Sequence, residues 1–339
     1  MQKKSAYNVC VVGVGAVGVE LLRVLKQRRF PVTKLTVLAQ SARTIEVDGT
    51  SYQVQAISPE AFKGQEIVLF AGTEGEKGAA VTYAKEAIRQ GAICIDNGSD
   101  FRMDPEVPLV VPEVNPEDIR RHKGLIANPN CSTIQMVVAL APLQKRSPIR
   151  KVIVSTYQAA SGAGKQAMDV LMAETSGLIE KRTISPPEVL PKQIGFNTIP
   201  QIGPFQEMGY TSEEWKLVKE TQKIMHEPNL RVTATTVRIP VVNSHSESVY
   251  VELEQPVTPE EAKKIWRESP GIVLREEPDE YPMPIEASGR DEVFIGRVRQ
   301  DPFDPNGLVF WVVADNLRKG AATNAIQIAE LLIASLRGA

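Results

Sequence analysis

Two textures of apolar and polar positions divide this chain. In its first part, short apolar runs alternate with polar turns and with stretches of helical spacing. Residues 7–12 read as a buried strand and 17–27 as a helix; 35–38, 66–70, 92–95 and 124–127 read as further strands, with a helix over about 76–89. Strands that alternate with helices predict a parallel, doubly wound sheet. From 131 onward the β-rich runs lengthen, at 151–158, 231–240, 246–255, 293–299 and 307–314, with helical spacing near 163–178, 212–226 and 259–267. That texture predicts a mixed or antiparallel sheet with helices on one face. The last helical stretch, 317–336, is expected to return to the first domain, which gives domains of 1–130 plus 315–339 and 131–314. Residues 186–209, rich in Pro and Gly, are the most irregular stretch, and no internal repeat is present.

Composition narrows the class. With 339 residues, 42% hydrophobic and 24% charged, the chain is long enough to bury two cores. A formal charge of -2 argues against a nucleic-acid surface or a polybasic membrane patch. Any anionic substrate must then be held by local arginines and lysines. Three cysteines in these settings make no disulfide framework, and Met1-Gln2-Lys3-Lys4-Ser5 opens no secretory leader, so a cytoplasmic location is expected.

The strand at 7–12 runs straight into Gly13-Val14-Gly15-Ala16-Val17-Gly18, a GxGxxG between a strand and a helix. The first glycine permits the tight turn, the second lets the backbone approach a pyrophosphate, and the third lets helix pack on strand. After the next strand, where an acid would often bind a ribose 2′-hydroxyl, the chain has Ser41 and Arg43. Those two suit a 2′-phosphate, so NADP is expected over NAD. Cys131 lies in Ala127-Asn128-Pro129-Asn130-Cys131-Ser132-Thr133, where a polar turn breaks into a helical run. A helix N-terminus favours a thiolate, although a small core residue is the alternative reading. Cys10 and Cys94 lie in apolar strands and read as packing. Of the three histidines, His122 falls in a charged helix end, His226 closes a helix where its charge would complement the dipole, and His245 sits in a polar link between two strands.

The segments Asn128-Pro129-Asn130-Cys131-Ser132-Thr133-Ile134-Gln135, Ser155-Thr156-Tyr157-Gln158-Ala159-Ala160-Ser161-Gly162, Arg238-Ile239-Pro240 through His245-Ser246-Glu247, and Asp315-Asn316-Leu317-Arg318-Lys319-Gly320 strongly resemble aspartate-semialdehyde dehydrogenase. The resemblance covers essentially the whole chain. It implies an α/β protein: a Rossmann-type doubly wound parallel-sheet domain plus an α+β catalytic and dimerisation domain with a mixed sheet. The implied reaction is NADPH-dependent reductive dephosphorylation of L-aspartyl 4-phosphate to L-aspartate 4-semialdehyde and phosphate, on the route to lysine, threonine, methionine and diaminopimelate. A homodimer or homotetramer is implied, with no metal.

On this resemblance Cys131 is the nucleophile, His245 the acid/base and Gln158 the residue that orients the reacting carbonyl. Arg238 pairs with the substrate α-carboxylate and Glu213 with its amino group, while Lys216, Arg102 and Asn130 bind phosphate. Gly13, Gly15, Ala16, Val17, Gly18, Ser41, Arg43, Gly72, Thr73, Ser161, Gly162 and Asn316 are expected at the cofactor. This chain departs from the family at Asp100, two positions before Arg102, where a small neutral residue is usual; the carboxylate either opposes phosphate or faces solvent. An N-acetylglutamyl-phosphate reductase would use the same thioester logic, but its acylated substrate offers no ammonium for Glu213. A noncatalytic NADP-binding relative would be expected to lose the thiol or the histidine.

Overall fold

The computed structural model describes residues 4–72, 78–184 and 189–335. Two compact units are present, Met1–Asn130 with Ala321–Ala339, and Cys131–Gly320. In the first, the chain runs β1 (Tyr7–Val12), α1 (Ala16–Gln27), β2 (Val32–Ala39), β3 (Arg43–Val47), β4 (Thr50–Ala56), β5 (Ile67–Phe70), α2 (Ala79–Arg89), β6 (Ile93–Asp96) and β7 (Leu125–Ala127). These strands form one sheet in the order β3-β4-β2-β1-β5-β6-β7. Every neighbouring pair is parallel except the β3–β4 hairpin. The order reverses at β1, whose two neighbours are β2 and β5, and ligands of such sheets bind beyond the strand ends at that reversal.

The hairpin was not expected from the sequence. It turns at Asp48 and Gly49, both at positive φ, which is the geometry that matches strand twist in a two-residue turn. Its strands are largely exposed at the sheet edge, so they carry little apolar pattern. By contrast β5 and β6 are buried throughout, as apolar runs covered on both faces must be.

The second unit contains α3 (Cys131–Arg146), β8 (Ile149–Gln158), α4 (Lys165–Ile179), α5 (Ser212–Ile224), β9 (Arg231–Arg238), β10 (His245–Leu253), α6 (Pro259–Arg267), β11 (Ile272–Leu274), α7 (Pro284–Ala287), β12 (Val293–Gln300) and β13 (Gly307–Ala314). The sheet order is β11-β12-β13-β10-β8-β9. It is mixed: β8–β9 and β11–β12 are parallel, the remaining pairs antiparallel. Helix α3 packs on β8, β10, β12 and β13, and α5 on β9. Trp266 of α6 is fully buried, donates Nε1–H to the Ala139 carbonyl of α3 at 2.8 Å and lies 4.9 Å from the Phe310 ring. Burying a side chain of that size contributes about 2–3 kcal/mol from area alone.

The last element among the described residues is α8 (Thr323–Ser335), which belongs to the first unit. The single helix expected over 317–336 is not formed: a π-helical turn, Arg318–Ala322, precedes α8, and residue 336 lies outside the described residues. Ile326, Ala329 and Ile333 of α8 join Val9, Leu21, Leu69 and Ile126 in one apolar core. The start of the helix expected at 76 also falls outside the described residues, as does Thr73. No helix among the described residues is long and apolar enough to cross a membrane.

Candidate active site

In the first unit, the turn after β1 bends through Gly13 at φ 98°, and a Cβ on Gly18 would lie 2.0 Å from the Gly13 carbonyl oxygen. Gly18 is therefore buried against the turn. Gly15 caps α1 without a side-chain hydrogen bond, and a Cβ there would meet nothing within 4 Å. The first N–H groups of α1 thus face open space at the sheet's reversal, a cradle that fits a dinucleotide pyrophosphate. Ala16 and Val17 form the first turn of α1, with Val17 packed on the core. A cleft of about 530 Å³ opens here, lined among others by Gly13, Gly15, Ser41, Arg43 and Gly72. Arg43 donates through Nη1 to Ser41 Oγ at 3.1 Å, and among the described residues no acidic side chain lines the cleft.

Arg102, in the same unit, is buried. Its Nε donates to the Asn128 carbonyl at 3.0 Å and its Nη2 to the Asn97 carbonyl at 2.7 Å. Asn128 in turn bonds Asn97 Oδ1 and accepts from Asn324 of α8, so β6, β7 and α8 jointly hold the guanidinium. Asn130 is buried at the end of this unit, and Asp100 is exposed to solvent.

The second unit gathers the expected reactive groups. Cys131 is the first residue of α3 and is partly exposed, whereas Cys10 and Cys94 are buried. Burial pushes the Cys94 thiol up to about 12 and the Cys10 thiol higher still, which leaves both inert. A Cβ on Gly320 would lie 2.8 Å from Cys131 Cβ, so only glycine lets the π-helical turn approach Cys131 this closely.

The sheet register aligns the partners. Gln158 and Arg238 are opposite one another at the ends of parallel β8 and β9. His245 opens β10 beside them, one residue before Ser246, which pairs with Tyr157. This corrects the expected polar link: Ser244, at φ 73°, turns the chain so that the strand begins at His245, which is fully buried. His226 follows the Met225 C-cap of α5 at φ 56°, the left-handed turn that closes the helix, as expected. His122 caps the short helix Pro116–Arg121, at a helix end as expected, but is half-buried and accepts from the Gly124 N–H rather than being fully solvated.

The backbone of one residue ties the group together. The Ala159 carbonyl accepts from Arg238 Nη1 at 2.7 Å, and the Ala159 N–H donates to His245 Nδ1 at 3.0 Å. A Cβ on Gly162 would lie 2.8 Å from Arg238 Nη1 and 2.9 Å from His245 Nε2, so this glycine is required by close approach. Ser161 Oγ lies 3.0 Å from Asn316 Oδ1, and the Ser244 N–H also donates to Asn316 Oδ1, at 2.9 Å. Gln158 Nε2 donates to Glu213 Oε1 at 3.3 Å, and Glu213 Oε2 lies 3.4 Å from Lys216 Nζ. Glu213 is placed by the capping box of α5, in which Thr211 Oγ1 accepts from Glu214 N and Glu214 Oε2 accepts from Thr211 N.

Electrostatics follow from burial. Desolvation lowers the Arg238 pKa, while Glu213 and Cys131 act to raise it. Burial, and then the Arg238 charge, hold His245 well below its ordinary value. Glu247, two residues along β10 and fully buried, is pushed well above the carboxylate range by desolvation, which Gln135 only partly opposes. Gln135 is one turn after Cys131 on the same face of α3. Ala159, Gly320, Gln135 and Glu247 were not singled out in the sequence, where nothing but their neighbourhood to Gln158, Cys131 and His245 marks them.

A glycine-turn cradle on one unit and, on the other, a buried Arg–Gln–His group and a partly exposed helix-start thiol are the parts of a nicotinamide-dependent semialdehyde dehydrogenase. Residues 8–122 match the family described as "Semialdehyde dehydrogenase, NAD binding domain", and residues 140–319 match "Semialdehyde dehydrogenase, dimerisation domain". The aspartate-semialdehyde dehydrogenase of Aquifex aeolicus is 50% identical over 96% of this chain and 98% of its own length, and that of Bacillus subtilis 49% over 96% and 97%. Aspartate semialdehyde dehydrogenase II of Vibrio cholerae, solved in complex with ASA, superposes with a TM-score of 0.93 at 43% identity, covering 97% of this chain and 99% of that one. The Candida albicans enzyme, solved with NADP, has a TM-score of 0.72 at 25% identity, covering 97% and 98%. The chain belongs to the aspartate-semialdehyde dehydrogenase family.

Proposed function

We propose that this protein reduces L-aspartyl 4-phosphate to L-aspartate 4-semialdehyde with release of phosphate, using NADP, in the biosynthesis of lysine, threonine, methionine and diaminopimelate. The observation that carries the reading is the partly exposed Cys131 at the start of α3, in the unit that groups buried Arg238, Gln158 and His245 around the backbone of Ala159. Cys131 attacks the acyl carbon, the C–O bond to phosphate breaks, and a thioester remains on the sulfur. The nicotinamide, when bound, supplies the hydride that reduces this acyl group. Gln158 orients the acyl oxygen, and the positive end of the α3 dipole favours charge on it. Arg238 receives the α-carboxylate in a two-point pairing and Glu213 the ammonium, while Lys216, Arg102 and Asn130 take the phosphate.

Gly13, Gly15 and the start of α1 hold the pyrophosphate, and Gly72, Ser161, Gly162 and Asn316 complete the cofactor contacts. Ser41 and Arg43, hydrogen-bonded to each other on the rim of the cleft, support the 2′-phosphate of NADP over the free hydroxyl of NAD. The α3-distal face of the second sheet supports a homodimer: it leaves Ile153 exposed and Tyr157 and Trp311 half-buried around a 460 Å³ cleft.

The test is an initial-rate assay of the oxidative direction with aspartate semialdehyde and phosphate, run with NADP and with NAD. It is repeated with N-acetylglutamate semialdehyde and with glyceraldehyde 3-phosphate. Turnover of aspartate semialdehyde alone, faster with NADP, is expected; preference for either other aldehyde would overturn the substrate reading.

A further inference from the structure

We propose that Asp315 is a positioning residue for the reaction: its carboxylate fastens the turn that leads into His245 to the turn that packs on Cys131, so that one group places both. This rests on the thioester reading above and deepens it. Asp315 follows Ala314, the last residue of β13, which pairs with His245 at the start of β10. Beyond that pair the ladder stops, and both strands run into turns. Backbone N–H groups buried there need acceptors from side chains.

Asp315 supplies them. It is 2% exposed, and its Oδ1 accepts from the N–H groups of Leu317 at 2.9 Å and Arg318 at 3.1 Å. Its Oδ2 accepts from the Gly289 N–H at 2.7 Å and from Asn243 Nδ2 at 2.8 Å. Both oxygens thus accept twice, and every partner is a donor. An ionised carboxylate meets that demand; an amide or a protonated acid would turn a donor toward a donor.

The Oδ1 bonds shape the π-helical turn, which Asp315 also holds by its carbonyl, the acceptor for the Gly320 N–H at 3.0 Å. An added Cβ on Gly320 would lie 2.8 Å from Cys131 Cβ and 3.3 Å from Cys131 Cα, so a shift of this turn moves the wall against the nucleophile. The Asn243 bond acts on the other turn. Asn243 Oδ1 accepts from Ser161 Oγ at 2.9 Å, and Ser244, at φ 73°, donates its N–H to Asn316 Oδ1 at 2.9 Å. Asp315 and Asn316 therefore hold Asn243 and Ser244, the two residues ahead of His245.

The groups assigned to substrate binding are held elsewhere. Arg238 is fastened to the Ala159 carbonyl and to the β8 ladder, and Glu213 to the capping box of α5. Disturbing Asp315 should accordingly slow the chemistry and spare substrate binding, a split that a loss of stability alone does not produce.

A double-mutant cycle in the intact protein reads this, with kcat and KM measured for aspartate semialdehyde, phosphate and NADP beside the melting temperature. Asp315→Asn should lower kcat by about 30-fold or more and leave KM for aspartate semialdehyde within about threefold. Asn243→Asp keeps an acceptor for Ser161 but sets a second carboxylate against Asp315, and should lower kcat about tenfold. In the double variant the amide at 315 can donate to the carboxylate at 243, and kcat should recover to within about tenfold of the parent. Asp291→Asn cuts the 2.9 Å ion pair of Arg318 in the same turn; it should lower the melting temperature and leave kcat within about twofold. Losses that multiply in the double variant, or a fall in kcat for Asp291→Asn equal to that for Asp315→Asn, overturn the proposal. Asn243 is half-buried, so its variant reads the link even where Asp315→Asn does not fold, and an unchanged kcat in Asn243→Asp overturns the proposal by itself. If the parent turns over aspartate semialdehyde and kcat holds in Asp315→Asn, the positioning role alone falls; if the parent does not turn it over, the thioester reading falls as well.

Discussion

Cys131 and Cys94 differ in setting rather than in chemistry. One begins a helix and meets solvent; the other is sealed in a parallel strand with its thiol raised to about 12. Replacing Cys131 by Ala should lower turnover by at least about 10³-fold, because no other described thiol is accessible, while NADPH affinity measured by fluorescence stays within about twofold. Substantial residual turnover in the purified variant would sink the nucleophile assignment. Glu247 shows what the sequence conceals at this scale. In Ser246-Glu247-Ser248 it reads as an ordinary polar position, and only the register and α3 reveal a carboxyl with no access to water. Its folded pKa is raised, so its contribution to stability is complete below the unfolded value near 4.3 and is lost as pH rises toward the folded value. Glu247→Gln should therefore melt higher than the parent at pH about 8, by roughly 2–4 °C per kcal/mol recovered, with the gain vanishing near pH about 4. A gain of equal size at both pH values, read by calorimetry, would argue against a neutral buried carboxyl.

Among elements, legibility tracks burial. The strands β1, β5 and β6 and the helix α6 were readable because their apolar positions repeat at the spacing of a covered face. The β3–β4 hairpin was missed because an edge ribbon exposes both faces, though Asp48-Gly49 was the available signal. His245 was misplaced for a different reason: the residue before it turns through positive φ, and nothing in Asn243-Ser244-His245 announces where the turn ends and the strand begins. The start of α5 was legible to the residue, and its capping box does more than end a helix. Glu214 Oε1 also accepts from Thr236 N of β9 at 3.0 Å, so the box fastens the first turn, and with it Glu213, to the strand that ends in Arg238. Thr211→Ala should cost about 0.5–2 kcal/mol of stability and raise KM for aspartate semialdehyde several-fold more than it lowers kcat. A pure kcat effect would mean that the cap does not set the position of Glu213.

Over the whole chain, the change of texture at Cys131 corresponds to the passage from an almost wholly parallel sheet to a mixed one, and the return of α8 to the first unit followed from its apolar spacing. The helices expected over one face of the second sheet are α3, α5 and α6, while α7 packs on β13 through Ala287, against Phe294 and Val313. Side chains of opposite parity to Gln158 and His245 point to the other face of the sheet. Ile153 is 40% exposed, Tyr157 and Trp311 lie with ring centroids 5.3 Å apart, and Ser248 pairs with Trp311 across the strands. An apolar, aromatic face on a sheet of this size is a poor solvent boundary, and a second copy of the chain would cover it with the same residues by two-fold symmetry. Ile153→Lys places a charge in the centre of that face without touching the α3 side. Light scattering should give a dimer for the parent and a monomer for Ile153→Lys at micromolar concentration, with each variant still binding NADPH through the first unit. A variant that remains dimeric would place the subunit contact elsewhere.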